Sequence, residues 1–524
     1  MPIFQQGTLN TTALVVPDLY VQIVPPQNLV LNGVPTNLIG VVGTASWGPV
    51  NQPVVVGTMA DYAQNFGPII VRKYDMGTSV ATAVQQGASS FRCVRVTDGT
   101  DVAASYAVNS ANNTNSAMFS ALYTGSLGNS VTLTLSQAAN LSWQLVVSLP
   151  GVVPEVFQNI QAPTGSPSVF WQNLVNAVNQ GIGPLRGPSQ IIVATLGSST
   201  TVAPTAFGPQ LLAGGTDGAS GATAGTLVGQ DSLPRTGMYA LRSQGCGIGV
   251  LVDSDDSTQW TTQAEFGLSE GVYMILAGPQ GQAISEAVTT KQSAGLDSYS
   301  AKLMFGDWVY WNDQANAMTR LVSPQGFVAG RLGNLSPEQS SLNQPLYSVI
   351  GTQMSGAPNS GQVSTYSYAE LQTLFENGID VIANPQPGGA YWGVRCGHNS
   401  SSNPAINGDN YTRLTNYIAA TLSAGMGLFV GQVINAGLFQ QIRSTQLSFL
   451  QNLFAQGVLG SLDGSAPYSV ICDASNNPQS MTSLGFVQSN AQVQFQSINE
   501  KFIVNVEGGQ TVVVQRQVLP GGTG

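Results

Sequence analysis

Cys246-Gly-Ile-Gly-Val-Leu-Val252 carries no charge and is followed at once by the acids Asp253, Asp255 and Asp256. An apolar run this short, with no polar alternation, reads as a strand buried on both faces, as in a parallel sheet covered by helices. The chain then continues with a helical segment near 258–269, a strand Val272-Tyr-Met-Ile-Leu276 and a helix near 280–293. Such alternation predicts an α/β layer. The same rhythm runs from 29 to 100. Leu38-Ile39-Gly40-Val41-Val42 and Val54-Val55-Val56 are strands, and Thr58-Met-Ala-Asp61 is a capping box whose short helix stops at Gly67-Pro68. Met76, Val80, Ala83 and Val84 share a helical face closed by Gly87, and Phe91 to Val96 returns as a strand.

Between these stretches the texture changes. Residues 101–210 are rich in Ser, Thr, Asn and Ala, with strand-like runs such as Val131-Thr-Leu-Thr-Leu135 and Gln144-Leu-Val-Val-Ser148. They predict a mostly β domain inserted into the α/β unit, which resumes after Gly214-Gly215-Thr-Asp-Gly218. From about 386 the pattern is helical. Leu414, Tyr417, Ile418, Thr421 and Leu422 share one face, and Leu438, Ile442, Phe449, Leu450, Leu453 and Phe454 mark a second helix ended by Gly457. No charge lies between Arg413 and Arg443, and Gly427-Leu-Phe-Val-Gly431 is a GxxxG, but interrupting Asn416, Gln432 and Asn435 argue against a membrane span. The segment reads instead as a helix and then a buried strand. Leu19-Tyr20-Val21-Gln22-Ile23-Val24 is a strand bounded by prolines with nothing local to pair with, and Phe502 to Val506 and Thr511 to Gln515 read as a hairpin joined through Gly508-Gly509.

Composition narrows the function. Charged residues are 8% of 524, against about 25% in an ordinary soluble domain, while hydrophobic residues reach 43%. Disordered chains show the reverse. A folded chain with so little charge predicts a surface largely turned towards other protein. Sixteen basic residues on a chain of net charge −10 do not make a nucleic-acid track. One histidine, His398, and four scattered cysteines (Cys93, Cys246, Cys396, Cys472) give no zinc signature, and so few cysteines suit a reducing compartment. The beginning of the chain, MPIFQQGTLNTT, has no basic-then-apolar leader pattern, which predicts synthesis and folding in the cytoplasm.

Met76-Gly-Thr-Ser-Val-Ala81 resembles the nucleophile motif of subtilisin-like proteases, but His398 falls downstream of Ser79 and out of that family's order. Small residues allowing close helix packing is the better reading. None of the four lysines is followed by Ser or Thr, so a Walker A loop is absent, as are GxGxxG after a strand and GxSxG. Asp253, Asp255 and Asp256 follow a buried strand, where α/β proteins place ligands, but a solvated strand-to-helix turn explains them more simply. His398 reads as an exposed polar loop residue. The expectation is no catalytic site, no metal and no cofactor.

The ordered motifs resemble one family, the contractile tail sheath proteins of bacteriophages and related injection machines. Gly43-Thr-Ala-Ser-Trp-Gly-Pro49-Val-Asn-Gln-Pro53, Tyr123-Thr-Gly-Ser-Leu-Gly-Asn129, Gly214-Gly215-Thr-Asp-Gly218, Ser323-Pro-Gln-Gly-Phe-Val-Ala-Gly330, Asn377-Gly-Ile-Asp-Val-Ile382 and Gly393-Val-Arg395 occur in the family's order. Cys396 departs from the family's threonine, and the acid that usually follows Ala329-Gly330-Arg331 is missing. The resemblance implies a subtilisin-like α/β domain (29–100 with 211–385), an inserted β domain (101–210), a C-terminal α+β domain (386–492), and terminal strand arms at 1–28 and 493–524. It implies a structural subunit, not an enzyme, stacked as hexameric rings around an inner tail tube and contracting to drive that tube through a host envelope. Its partners would be further copies of itself, the tube protein, the baseplate and the tail terminator, with no nucleic acid and no membrane insertion. The implied place is a virion tail assembled in bacterial cytoplasm. Residues implied in the inter-subunit arms are Leu19, Tyr20, Val21 and Ile23 at one end, and Phe502, Ile503, Val504, Val506, Val512, Val513 and Val514 at the other. The helix at 437–456, with Arg443 its one charge, is the tube-facing candidate. An enzyme or ligand-binding protein built on the α/β layer, or another viral assembly subunit, are the alternatives.

Overall fold

The computed structural model describes residues 3–6, 20–23, 31–109, 115–138, 142–356 and 366–506. Its centre is a seven-stranded sheet in the order Ile379–Asp380, Ala301–Met304, Tyr273–Ala277, Ile248–Leu251, Ile39–Gly43, Phe91–Arg95, Pro53–Val56. All neighbours run parallel except the last pair, where Pro53–Val56 returns antiparallel as an edge. Every residue of Ile248–Leu251 and Tyr273–Ala277 is buried, as their unbroken apolar runs require.

Helices cover both faces of this sheet. On one side Met59–Phe66, Met76–Gln85 and Gln325–Gly333 bury Tyr62, Phe66, Met76, Val80, Phe327 and Leu332. On the other, Trp260–Glu270, Ile284–Ala294 and Tyr368–Glu376 supply Trp260, Phe266, Ala287 and Leu374. The Thr58 capping box forms: the Thr58 hydroxyl accepts from Asp61 N at 3.1 Å, and the Asp61 carboxylate accepts from Thr58 N at 3.0 Å.

Residues between 104 and 212 enclose a core of their own, joined by Trp47. One sheet orders Glu155–Gln161, Ser142–Ser148, Thr132–Gln137 and Phe207–Leu211; another orders Ile192–Leu196, Asn115–Ala121 and Ser105–Asn109. A helix absent from the sequence reading, Pro167–Gln180, inserts Phe170, Trp171, Leu174 and Val178 between them.

Beyond the sheet, helices Asp409–Met426 and Ala436–Ala455 close on Ile418, Phe449, Leu450 and Leu453 beside an antiparallel ribbon of Tyr468–Ile471 and Asn490–Val493. The helical pattern thus begins at 409; from 386 to 408 the chain is mostly loop. The buried strand expected after the first helix of the uncharged stretch between Arg413 and Arg443 is not there. Gly427–Phe429 is a 3-10 turn, Val430 is 85% and Val433 79% exposed, and Asn435 caps the next helix by accepting from Leu438 N. A strand needs a neighbouring edge, and this loop stands at the tip of the helix pair with none. Tyr20–Ile23 also differs from expectation, because it pairs in parallel with Ile3–Gln6, Ile3 opposite Tyr20 and Gln6 opposite Ile23.

Candidate functional site

The C-terminal ends of parallel strands are where a ligand or reaction site would form. Two features the sequence separated meet there. Ser79 and Asp253 line one cavity of about 10 Å³, room for roughly a single water. Asp253 has a left-handed φ of 52°. Its backbone N donates to Gln325 Oε1 at 2.9 Å, and its carboxylate accepts from Tyr74 N at 3.2 Å. Burial pushes the Asp253 carboxyl up to about 7 and that of Asp75 up to about 6. Asp75 is the cap of Met76–Gln85, accepting from Thr78 N at 2.9 Å and Thr78 Oγ1 at 2.8 Å.

The neighbouring acids do not converge with them. Asp255 pairs with Lys73 at 2.9 Å, and Asp256 caps the turn Ser257–Gln259. His398 lies elsewhere, bonded to Glu500, so Ser79 has no imidazole base. Among the described residues no group of three His, Cys, Asp or Glu is arranged to hold a metal ion. The Gly77-Thr-Ser79 start instead serves packing. A Cβ on Gly326 would lie 2.8 Å from Ser79 O, and one on Gly330 would lie 2.5 Å from Ala83 Cα, so Gln325–Gly333 crosses Met76–Gln85 backbone to backbone.

The sequence motifs occupy junctions between layers. Asn129 and Gly215 clasp reciprocally, Asn129 Nδ2 donating to Gly215 O at 2.9 Å and Gly215 N to Asn129 Oδ1 at 2.8 Å. Asp217 accepts from Ser126 N and from Arg72. The wholly buried Arg95 donates to the carbonyls of Gly48, Thr124 and Asp217, tying both chain crossings to the sheet. Gln325 caps two strands, its Nε2 donating to Leu251 O at 3.0 Å and Ile275 O at 2.7 Å. Asp380 pairs with the fully buried Lys302 at 2.6 Å and accepts from Cys396 N and Gly397 N. Lys302 also reaches Asp409 at 3.0 Å, joining the sheet to the start of the 409–426 helix. Burial alone would raise Asp409, but Lys302 with the Ser341 and Tyr273 hydroxyls holds it at about 2.

Tyr20, Val21 and Ile23 sit in the small parallel pair; Leu19 lies outside the described residues. At the other end Phe495 packs against Tyr411, Gln496 O accepts from Asn410 Nδ2 at 3.1 Å, and Glu500 meets His398 at 2.8 Å. The chain then leaves the body. Phe502, Ile503, Val504 and Val506 are 64–86% exposed and form no strand, while Val512, Val513 and Val514 lie outside the described residues. Arg443 is exposed on Ala436–Ala455 among Gln440 and Gln441. No described helix is long and apolar enough to cross a membrane.

No protein-family model matches the sequence, and no curated protein does. Solved structures do match. A sheath tail protein of Listeria innocua aligns with a TM-score of 0.58 at 15% identity, over 84% of this chain and 89% of that one. A sheath tail protein of Desulfitobacterium hafniense gives 0.56 at 14%, over 86% and 93%. The sheath of the extracellular contractile injection system PVC, in its contracted state, gives 0.53 at 12%, over 95% and 99%. This chain has the contractile tail sheath fold.

Within the sheath fold, the motif residues in view hold layers together rather than facing a shared site. The sequence missed two arrangements because both depend on distant pairing. Lys302 meets acids 78 and 107 positions away, and His398, read as an exposed loop residue, is half-buried against an acid 102 positions on. The available signal for the first was a lone lysine in the short run Ala301-Lys-Leu-Met-Phe305, to which the sequence reading assigns no element and which forms a buried strand.

Proposed function

We propose that the chain is the structural, non-enzymatic subunit of a contractile sheath, stacking as hexameric rings around an inner tail tube and contracting to drive it through a host envelope. The observation that carries this reading is the run 502–506, an apolar segment that leaves the body without a partner. Apolar side chains left in water are a poor end state for a folded chain, and burying each contributes about 1.5–3 kcal/mol. The ribbon Tyr468–Ile471 with Asn490–Val493, packed on the helix pair, and the pair Ile3–Gln6 with Tyr20–Ile23 each have only two strands among the described residues, which leaves strand edges to pair. Strand addition between copies completes both, with main-chain hydrogen bonds worth about 0.5–1.5 kcal/mol each. Such contacts are head-to-tail and propagate as a helix.

In this reading residues 29–100 with 211–385 are a subtilisin-like body, 101–210 an exposed inserted domain, 386–492 the C-terminal domain, and 1–28 and 493–524 the arms. Leu19, Tyr20, Val21 and Ile23 take the N-terminal contacts, and Phe502, Ile503, Val504, Val506, Val512, Val513 and Val514 the C-terminal ones. Arg443 faces the tube. Baseplate and tail terminator bound the assembly, which forms in a bacterial cytoplasm and ends in a virion tail or a phage-derived machine.

Negative-stain microscopy of the concentrated protein tests the reading. Full-length chain should form hollow cylinders with a regular axial repeat, and a chain ending at Glu500 should stay as folded particles. Cylinders from the shortened chain would sink the arm assignment.

A further inference from the structure

We propose that His398 is the positioning residue of the C-terminal arm: it clamps the arm's root through Glu500, and the clamp tightens as the imidazole gains a proton. This deepens the reading of 501–524 as an inter-subunit arm and rests on it.

The geometry is specific. His398 is the one histidine of the chain, and its Nε2 lies 2.8 Å from Glu500 Oε1. Its backbone is fixed from behind, since His398 O accepts from Lys302 Nζ at 3.0 Å, within the buried Lys302, Asp380 and Asp409 set. The imidazole is thus mounted on a loop whose carbonyl is held by a fully buried ion-pair set. On the other side of the pair, Glu500 is the last residue with a polar anchor before four exposed apolar side chains. Phe495 and the Gln496 carbonyl already hold the preceding turn of chain, so Glu500 sets the point and the direction from which the arm departs.

The charges around the ring are few. Glu500 and its chain neighbour Lys501 come from the arm; Lys302, Asp380 and Asp409 lie behind the His398 carbonyl, one cation between two carboxylates and so a net negative set, and Asn407 Nδ2, 3.4 Å from His398 Nδ1, carries no charge. The hydrogen bond from His398 holds the Glu500 carboxyl below its ordinary range, so the acid of the pair is the ionised partner. With neutral imidazole, the contact is a hydrogen bond to a carboxylate. With imidazolium it becomes a charge-assisted ion pair, shorter-lived conformations of the root are lost, and the arm is held to one departure direction. Acidification from mildly alkaline to mildly acid pH therefore tightens the clamp.

The test uses the full-length chain with Ile503→Cys carrying a maleimide dye, which the four buried native cysteines leave as the reactive position. At concentrations where sedimentation shows no polymer, the dye's local motion is followed from about pH 8 to about pH 5.5. The expected result is roughly twofold restriction on acidification, abolished in both His398→Gln and Glu500→Gln. A flat profile in the parent, or an unchanged step in either variant, overturns the proposal. Microscopy of the chain ending at Glu500 separates the two ideas. A pH step together with cylinders from the shortened chain leaves the clamp standing and removes the arm reading. No step, with cylinders lost, does the reverse.

Discussion

At the scale of single residues, the informative group is Asp253. Its carboxyl is buried beside Asp75 with one backbone donor, Tyr74 N, and among the described residues no cation pairs with it. Burial raises it to about 7, whereas in the unfolded chain it ionises near 4. Between those values the folded chain holds the extra proton. The stability linked to Asp253 is therefore fully present below about pH 4 and lost as pH rises through about 7, at most on the order of 4 kcal/mol. Asp253→Asn keeps an oxygen to accept from Tyr74 N and cannot ionise. Its melting temperature should equal or exceed the parent's at pH 8, and the difference should shrink towards pH 4.5. Thermal melts across that range check this, and a difference independent of pH would mean that the carboxylate is solvated. None of this was legible beforehand. The sequence showed three acids after a buried strand, but not that one turns inward while Asp255 and Asp256 find a lysine and a helix start.

At the scale of elements, legibility followed the strength of local pattern. The run from 246 to 294 was readable because a strand buried on both faces has no polar position to blur it, and helices closing at Gly271 and Gly295 bound it. The 167–180 helix was hidden in a polar domain, although Phe170, Trp171, Leu174 and Val178 hold helical spacing between Pro167 and Gly181. The 427–434 loop failed for the opposite reason, since apolar sequence alone does not distinguish a core strand from an exposed tip. The glycines of Gln325–Gly333 show where composition does have one physical meaning. Gly330→Ala would put a Cβ 2.5 Å from Ala83 Cα and from its carbonyl oxygen, both backbone atoms that have no rotamer to escape through. The two helices must separate, and we expect a loss of about 1–3 kcal/mol or more in chemical denaturation. Gly427→Ala is the control: nothing lies within 4 Å of its Cβ and its φ is −58°, so stability should hold or rise slightly.

At the scale of the whole molecule, if the proposed sheath assembly forms, the scarcity of charge bears on how copies meet. Many of the basic side chains are already committed internally. Arg72, Lys73, Arg186, Arg235, Arg242, Lys302 and Arg320 pair with acids of the same chain, while Arg95, Lys291 and Arg413 donate to backbone carbonyls. The stretches 414–442 and 474–499 hold no charge at all, and the exposed run 502–506 adds none. Contacts built from such surfaces rely on burial and main-chain hydrogen bonds, which salt does not screen. An interface steered by charge loses association rate steeply between low and high ionic strength. Assembly of this chain, followed by light scattering from about 0.05 to about 0.5 M sodium chloride, should change less than about threefold in rate and should speed up rather than slow, because the residual repulsion of a −10 chain is what salt removes. A steep fall with salt would place complementary charges at the interface, and Arg443, Asp473 and Lys501 would be the first residues to neutralise in search of them.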